Sequence, residues 1–237
     1  MTEKHSILCI IPARGGSTGV PGKNIKLFCG KPLISYTIEA ALKSSLFDKV
    51  VVSTDSQEIA DISRECGADV PYLRPTELAT SESNVVDAVI HMLDLLHQKE
   101  AYEPDILFLL QPTSPLREAG DIRAAYKQFL DDAAPALVSV CRTHYEVLHI
   151  EEGRIRVINP GEAPLINRQE HAPAYKQDGS MIYIIKVPYL REHRTFTPVG
   201  ETSAYINPKW KAVDIDDPED FELAEVLYQN RDAFKNI

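Results

Sequence analysis

Ile7-Leu8-Cys9-Ile10-Ile11-Pro12-Ala13-Arg14-Gly15-Gly16-Ser17-Thr18-Gly19-Val20-Pro21-Gly22-Lys23-Asn24 is the stretch from which the rest of this chain can be read. The apolar run at its start has the length and content of a buried strand. One loop follows, holding four glycines, two prolines, two cations and two hydroxyls. Glycines let backbone N–H groups converge on an anion, and Arg14 and Lys23 would neutralise it. That chemistry suits a polyphosphate. The plainer alternative is a mobile loop with two solvated cations. Lys23 precedes Asn24, so the loop is not Gly-x-x-x-x-Gly-Lys-Ser/Thr, nor is it a clean Gly-x-Gly-x-x-Gly.

Outward from this loop, strand-like and helix-like runs alternate, which predicts βαβ units and a mostly parallel sheet. A helix is expected over 32–45, with Pro32 in its first turn. A strand follows at 49–53. Asp55 or Ser56 can cap the next helix, which stops at Gly67. A short run at 69–73 leads to a helix over about 85–98. Residues 105–110 read as the clearest central strand, broken by Pro112 and Pro115. A helix carrying Ile122, Tyr126 and Phe129 comes next, then a strand at 136–141. From 142 to 205 the alternation decays into prolines, charges and short strands. This segment reads as an inserted arm on a domain made of 1–141 and 206–237. Residues 211–215 return as a strand, and Asp217 and Pro218 open the last helix. Loops at the carboxyl ends of parallel strands carry the sites in open α/β sheets. The blocks after Ile11, after Val52, after Leu110 and around Asp216 all fall there.

The chain of 237 residues is 44% hydrophobic and 25% charged, as a soluble globular protein is. Its net charge of −10 argues against a nucleic-acid or anionic-membrane binder. Four cysteines, Cys9, Cys29, Cys66 and Cys141, form no Cys-x-x-Cys pair, so neither zinc nor a disulfide framework is expected. No apolar stretch is long enough for a signal peptide or a membrane span. The expected location is the reducing cytoplasm.

Asp214 and Asp216 stand two apart in an extended segment, so their carboxylates share a face. Such a pair suits a hard cation such as Mg²⁺, with phosphate oxygens and water completing its shell. Equally, these are two acids ahead of a helix cap. By residue type alone Arg74 reads as a solvated loop arginine and Gln111 as a capping or turn residue. Arg117 could pair with a carboxylate or stay in solvent. Asp55 reads as a helix cap rather than a ligand contact, though its loop lies at the end of the sheet that carries sites. His144, His149 and His171 lack ligand spacing and read as surface residues.

Four blocks together carry a family resemblance: the opening loop, Arg74-Pro75-Thr76-Glu77-Leu78-Ala79, Leu109-Leu110-Gln111-Pro112-Thr113-Ser114-Pro115-Leu116-Arg117, and Val213-Asp214-Ile215-Asp216. In this order they resemble the acylneuraminate cytidylyltransferases, which activate nine-carbon acidic sugars as CMP-sugars. The resemblance covers nearly the whole chain. It implies a Rossmann-like, doubly wound, mostly parallel sheet of the nucleotide-diphospho-sugar transferase type, with a small dimerisation arm. It implies a homodimer that takes CTP and an acidic sugar, neither nucleic acid nor membrane, with Mg²⁺ (or Mn²⁺) on Asp214 and Asp216. Arg14, Lys23, Asp214 and Asp216 match catalytic positions. Ala13, Arg14, Gly15, Gly16, Ser17, Lys23, Asn24 and Arg74 match nucleotide contacts, with the amides of 13–17 sharing the phosphates. Gln111, Arg168, Gln169 and Tyr183 match the sugar side. The resemblance also implies departures. Most members carry lysine at the position of Thr18, and Thr80-Ser81-Glu82-Ser83-Asn84 lacks an aspartate common near Ser81. Asp178-Gly179 stands for a common Asn-Gly, and Tyr183 is displaced by one residue. A 3-deoxy-octulosonic, legionaminic or pseudaminic acid enzyme, or a nucleotide-sensing domain without catalysis, remains an alternative.

Overall fold

The computed structural model describes residues 5–143, 148–151, 154–157, 173–177 and 181–235. In chain order, β1 (Ile7–Pro12) is followed by a small hairpin, β2 (Leu27–Phe28) and β3 (Lys31–Pro32), then α1 (Leu33–Ser44), β4 (Lys49–Ser53) and α2 (Gln57–Glu65). Next come α3 (Val85–Glu100), β5 (Ile106–Leu109), α4 (Ala119–Asp132) and β6 (Ala136–Thr143). The chain continues through β7 (Leu148–Glu151), β8 (Arg154–Val157), β9 (Ala174–Gln177) and β10 (Tyr183–Lys186). It closes with α5 (Val187–His193), β11 (Thr202–Asn207), α6 (Pro218–Gln229) and α7 (Arg231–Phe234).

Successive side chains of a strand point to opposite faces, so a continuous apolar run needs cover on both. In β1, Ile7, Cys9 and Ile11 enter one core while Leu8 and Ile10 enter another. Phe108 and Ile184 continue the first core, Leu107, Leu109 and Ile185 the second. Helices α1, α2 and α4 roof the first through Ile34, Ile38, Ile59, Ile122 and Phe129. Helices α3 and α5 roof the second through Val89, Met92, Leu93 and Leu190. Each wholly buried leucine or isoleucine contributes about 1.5–3 kcal/mol. A third, smaller core joins Val20, Phe28, Leu33, Tyr36, Ile215, Phe221 and Ala224. It clamps the loop after β1 and the segment before α6 together, and thereby positions the site.

The main sheet runs β11-β6-β10-β5-β1-β4, with β9 paired to β6 off this path. β4, β1 and β5 are mutually parallel, and β11 is parallel to β6. β10 lies antiparallel between β5 and β6, and β9 is antiparallel to β6. Helix starts follow local chemistry. Ser56 Oγ accepts from Ile59 N at the start of α2, and Asp217 and Asp220 form a capping box on α6. Cys9 and Cys141 are buried, and all four cysteines are free thiols.

Two sequence expectations change. Residues 211–215 form no strand: Lys209–Lys211 is a 3₁₀ turn, and the chain then runs extended without a ladder. The reason is that β11 already occupies the edge of β6. The boundaries of the inserted arm also move. Met181 to Ile185 belongs to the two main cores, and β10 and β11 are strands of the main sheet. Among the described residues of 142–205, the hairpin β7–β8 forms a sheet of its own. Phe196 is 6% exposed and packed within the chain on Tyr183, with ring centroids 5.5 Å apart.

Candidate active site

A cleft of about 370 Å³ opens at the carboxyl ends of β1 and β5, lined among others by Arg14, Lys23, Arg74, Gln111 and Asp216. The loop after β1 forms one wall. Its backbone is largely engaged within the protein. Ala13 N donates to Ser53 O, Gly15 N to Asp55 Oδ1 and Ser17 N to Gly15 O, at 2.9, 2.9 and 3.1 Å. Amides 13, 15 and 17 are therefore not free donors in this conformation. Gly22, at φ +62°, lets the loop turn back, and its carbonyl accepts from both Ile25 N and Lys26 N. Gly19 is required by proximity: a Cβ there would sit 2.0 Å from Asp216 O.

The side chains divide into braces and free groups. Asn24 is buried, and its Nδ2 donates to Arg14 O at 2.9 Å, so it shapes the loop. Arg14 Nη1 donates to Thr80 O at 2.6 Å, which ties the loop to residues 80–84. Lys23 Nζ donates to Ile215 O and stands 3.6 Å from Asp216 Oδ1. Ser17 and Thr18 line the cleft, as does Gln111, whose main-chain oxygen accepts from Thr37 Oγ1 and Arg117 Nη2. Arg74 has a side chain only 5% exposed. Burial pulls its pKa down, Asp55 opposes this, and the Arg14 charge adds to the fall.

Asp214 and Asp216 do approach the same site but differ in setting. Asp216 is exposed, while Asp214 is half-buried with an Oδ1 that accepts no hydrogen bond of standard geometry. Burial, then the charges of Asp216 and Asp220, push the Asp214 carboxyl up to about 6, against the Thr113 hydroxyl and Lys23. A desolvated carboxylate oxygen without a partner, beside a second carboxylate, fits a hard divalent cation. Among the described residues no cluster of three or more His, Cys, Asp or Glu side chains could hold a metal, so such an ion would need oxygen donors from ligand and water.

Tyr183 lies outside this cleft, 8% exposed in β10, with its hydroxyl 3.5 Å from Gln177 Oε1. Arg168 and Gln169 lie outside the described residues, as do Asp178, Gly179, His144 and His171. Two residues were misjudged from sequence. Asp55 is not a helix cap, since Ser56 caps α2; its carboxylate holds Gly15 N and faces Arg74. Arg117 is not solvated: it is 3% exposed and donates to Met181 O, Thr37 Oγ1 and Gln111 O. It ties the end of β5 to the start of β10. No local pattern marks it for this, because its acceptors are 6 to 80 residues away in sequence.

A doubly wound sheet with a cation-lined cleft at its strand ends is the architecture of a nucleotidyltransferase, and the comparisons agree. A solved CMP:2-keto-3-deoxy-manno-octonic acid synthetase complexed with CTP shares this fold, with TM-score 0.68 and 20% identity over 95% of this chain and 99% of that one. A 4-diphosphocytidyl-2C-methyl-D-erythritol synthase from Anaerococcus prevotii does so at TM-score 0.62 and 13% identity, covering 96% and 100%. A family model described as cytidylyltransferase matches residues 8–237. The chain belongs to the cytidylyltransferase family and is a nucleotidyltransferase. Its relatives include a CMP-N,N'-diacetyllegionaminic acid synthase from Legionella pneumophila, 37% identical over 96% of this chain and 98% of the relative. A pseudaminic acid cytidylyltransferase from Campylobacter jejuni is 32% identical over 94% and 96%. An N-acylneuraminate cytidylyltransferase from Escherichia coli is 35% identical over 99% of this chain, which spans 56% of that longer protein.

Proposed function

We propose that this chain transfers CMP from CTP to the anomeric hydroxyl of a nine-carbon acidic sugar, an N-acylneuraminate or close relative, and releases pyrophosphate. The observation that carries this reading is the meeting of Arg14, Lys23 and Asp216 at one cleft, with Asp214 close enough behind it to feel the charges of Asp216 and Lys23. The relatives named for N-acylneuraminate, legionaminic and pseudaminic acids support the substrate class. The sugar hydroxyl attacks the α-phosphorus and pyrophosphate departs. Arg14 and Lys23 neutralise the charge that develops on the leaving group. Lys23 also holds Ile215 O, so phosphate loop and carboxylate segment move as one unit. Alignment of the two substrates supplies much of the rate, because little covalent chemistry falls to the protein. Asp214 and Asp216 would hold Mg²⁺, or Mn²⁺ in its place, a cation that supplies Lewis-acid polarisation and acidifies a bound hydroxyl. Gln111 would reach the sugar, with Arg168 and Gln169 on the same side of the substrate; Tyr183, buried in β10 outside the cleft, would act only through its neighbours. A homodimer working in the cytoplasm belongs to this reading; among the described residues no helix is long and apolar enough to cross a membrane.

The test is pyrophosphate release from CTP with a panel of acidic sugars: N-acetylneuraminic, diacetyllegionaminic, pseudaminic and 3-deoxy-octulosonic acids. Turnover with one of the first three is expected, and the panel identifies which. CTP binding without turnover on any sugar would favour a nucleotide-sensing domain. The Asp214 Oδ1, enclosed without a hydrogen bond of standard geometry, speaks against that alternative, since such an oxygen costs stability until a ligand meets it.

A further inference from the structure

Arg74 is buried on terms that a guanidinium seldom meets. Its Nε is sealed from solvent without a hydrogen-bond partner, and among the described residues its side chain donates no hydrogen bond. The carboxylate facing it is Asp55, whose Oδ1 lies 3.9 Å from Arg74 Nη2. The same oxygen accepts the Gly15 amide at 2.9 Å. Arg14, one residue before Gly15, is close enough to oppose the Arg74 charge and lines the same cleft. Two arginines thus share one wall, with one carboxylate behind them.

The backbone around Asp55 is fixed on both sides. Thr54 O accepts from Arg74 N at 2.7 Å, Thr54 Oγ1 from Ser56 N at 3.1 Å, and Ser56 caps α2. Gly15 packs directly on this turn, since a Cβ there would lie 3.2 Å from Ser56 Cβ. The carboxylate therefore has a rigid mount.

We propose that Asp55 is a positioning residue for the anionic part of the nucleotide: from behind the loop it fixes the Gly15 amide and holds Arg74 beside Arg14, so that both guanidiniums face the cleft. This rests on the reading of the cleft as a nucleotide site. Two effects of Asp55 oppose each other. Its negative charge repels a phosphate, while its hydrogen bond to Gly15 N fixes the loop that carries Arg14 and its charge faces Arg74. Placement wins where a desolvated arginine would otherwise lose its facing charge.

The test uses the full chain with Asp55→Asn, which keeps an oxygen acceptor for Gly15 N but drops the charge, and Asp55→Ala, which drops both. Calorimetry measures binding of CTP and of inorganic tripolyphosphate, beside thermal melting and steady-state kinetics. Asp55→Ala is expected to weaken both ligands about tenfold or more, and Asp55→Asn by less. The KM for CTP should rise in step while the KM for the sugar stays within about twofold. An Asp55→Ala protein that is folded and binds tripolyphosphate as tightly as wild type, or more tightly, overturns the proposal. If Asp55→Ala does not fold, Asp55→Asn decides: a loss of about threefold or more supports the role, and no loss overturns it. A wild-type chain that takes tripolyphosphate but not CTP overturns the nucleotide reading alone, and the tripolyphosphate series still decides the role of Asp55. Wild type that binds neither ligand overturns both.

Discussion

Adding one methyl group at Gly19 should separate the phosphate loop from the carboxylate pair. A Cβ built there falls 2.0 Å from Asp216 O and 3.2 Å from Asp216 C. Non-bonded heavy atoms settle at about 3.5–4.0 Å, so loop and segment must part by more than about 1 Å. Neither side yields easily. Val20 and Ile215 share the third core, Lys23 Nζ donates to Ile215 O, and Ile215 N donates to Thr113 O at 3.0 Å. Overpacking of this kind costs about 1–3 kcal/mol of stability. The larger effect should fall on turnover, because a displacement of about 1 Å in a positioned group can cost about 10²-fold. Pyrophosphate release at saturating CTP, sugar and Mg²⁺ is the assay, with thermal melting in parallel. Gly16→Ala serves as the stability control, since no atom lies within 4 Å of a Cβ there. A Gly19→Ala protein with turnover within about threefold of wild type and an unchanged melting point would refute the close approach and the coupling built on it.

Asp214→Asn should melt higher than wild type in the absence of divalent cations, yet lose turnover about 10²-fold or more. The folded carboxyl is raised to about 6 from its ordinary 3.8, so its ionisation opposes folding: the gain is absent near pH 3.5, grows between about pH 4 and 6, and is complete above. Melting scans at pH 4 and 8 check the sign, and a variant that melts below wild type at pH 8 contradicts it. Asp216→Asn, at an exposed side chain, should leave melting unchanged and lower turnover by a similar factor; activity within about threefold at saturating Mg²⁺ sinks its role. Thr18→Lys adds a cation to the cleft and should tighten CTP or raise turnover without altering the choice of sugar, read from KM and kcat across the panel. Phe196→Ala should cost about 3–5 kcal/mol in urea denaturation, as a core aromatic does; unchanged monomer stability with a weakened dimer would assign Phe196 to an interface.

The parallel half of the fold was legible because its signals are local. Each of 7–11, 49–53 and 105–110 is a short apolar run, and each is followed by a break and a helix with its own start signal. Asp217 and Pro218 could be read as a helix start for the same reason, and the structure places them there. The antiparallel strand was not legible. Met181 to Ile185 is plainly apolar, but its slot between β5 and β6 exists only because the crossover through α4 skips one position. That vacancy is a property of the assembled sheet. The same holds for β11, which pairs with β6 at the sheet's edge, while residues 211–215, read from sequence as a strand, join no ladder. In the site, Arg14, Lys23 and the two aspartates announce themselves by residue type. Arg117 and Asp55 do not, since the acceptors of one and the donors facing the other come from distant segments.

The glycine-rich loop after β1 commits part of its backbone in a way its composition does not announce. Glycine-rich loops suggest a cradle of amides, yet here Ala13, Gly15 and Ser17 already donate to protein acceptors. Two of the glycines serve other ends. Gly15 packs against Ser56, and Gly19 makes room for Asp216 O. Side-chain charge stands beside the remaining amides of the loop: Arg14 tied to Thr80, Lys23 tied to Ile215, and Arg74 set against Asp55. Each of the three cations is anchored to a different segment, so the cleft's charge is assembled by the fold as a whole. Charge-assisted contacts from such anchored groups are stronger than neutral amide bonds and need less reorganisation when the anion arrives. This anchoring explains why positions as far apart as 14, 23, 74 and 216 converge although only the first two belong to one motif.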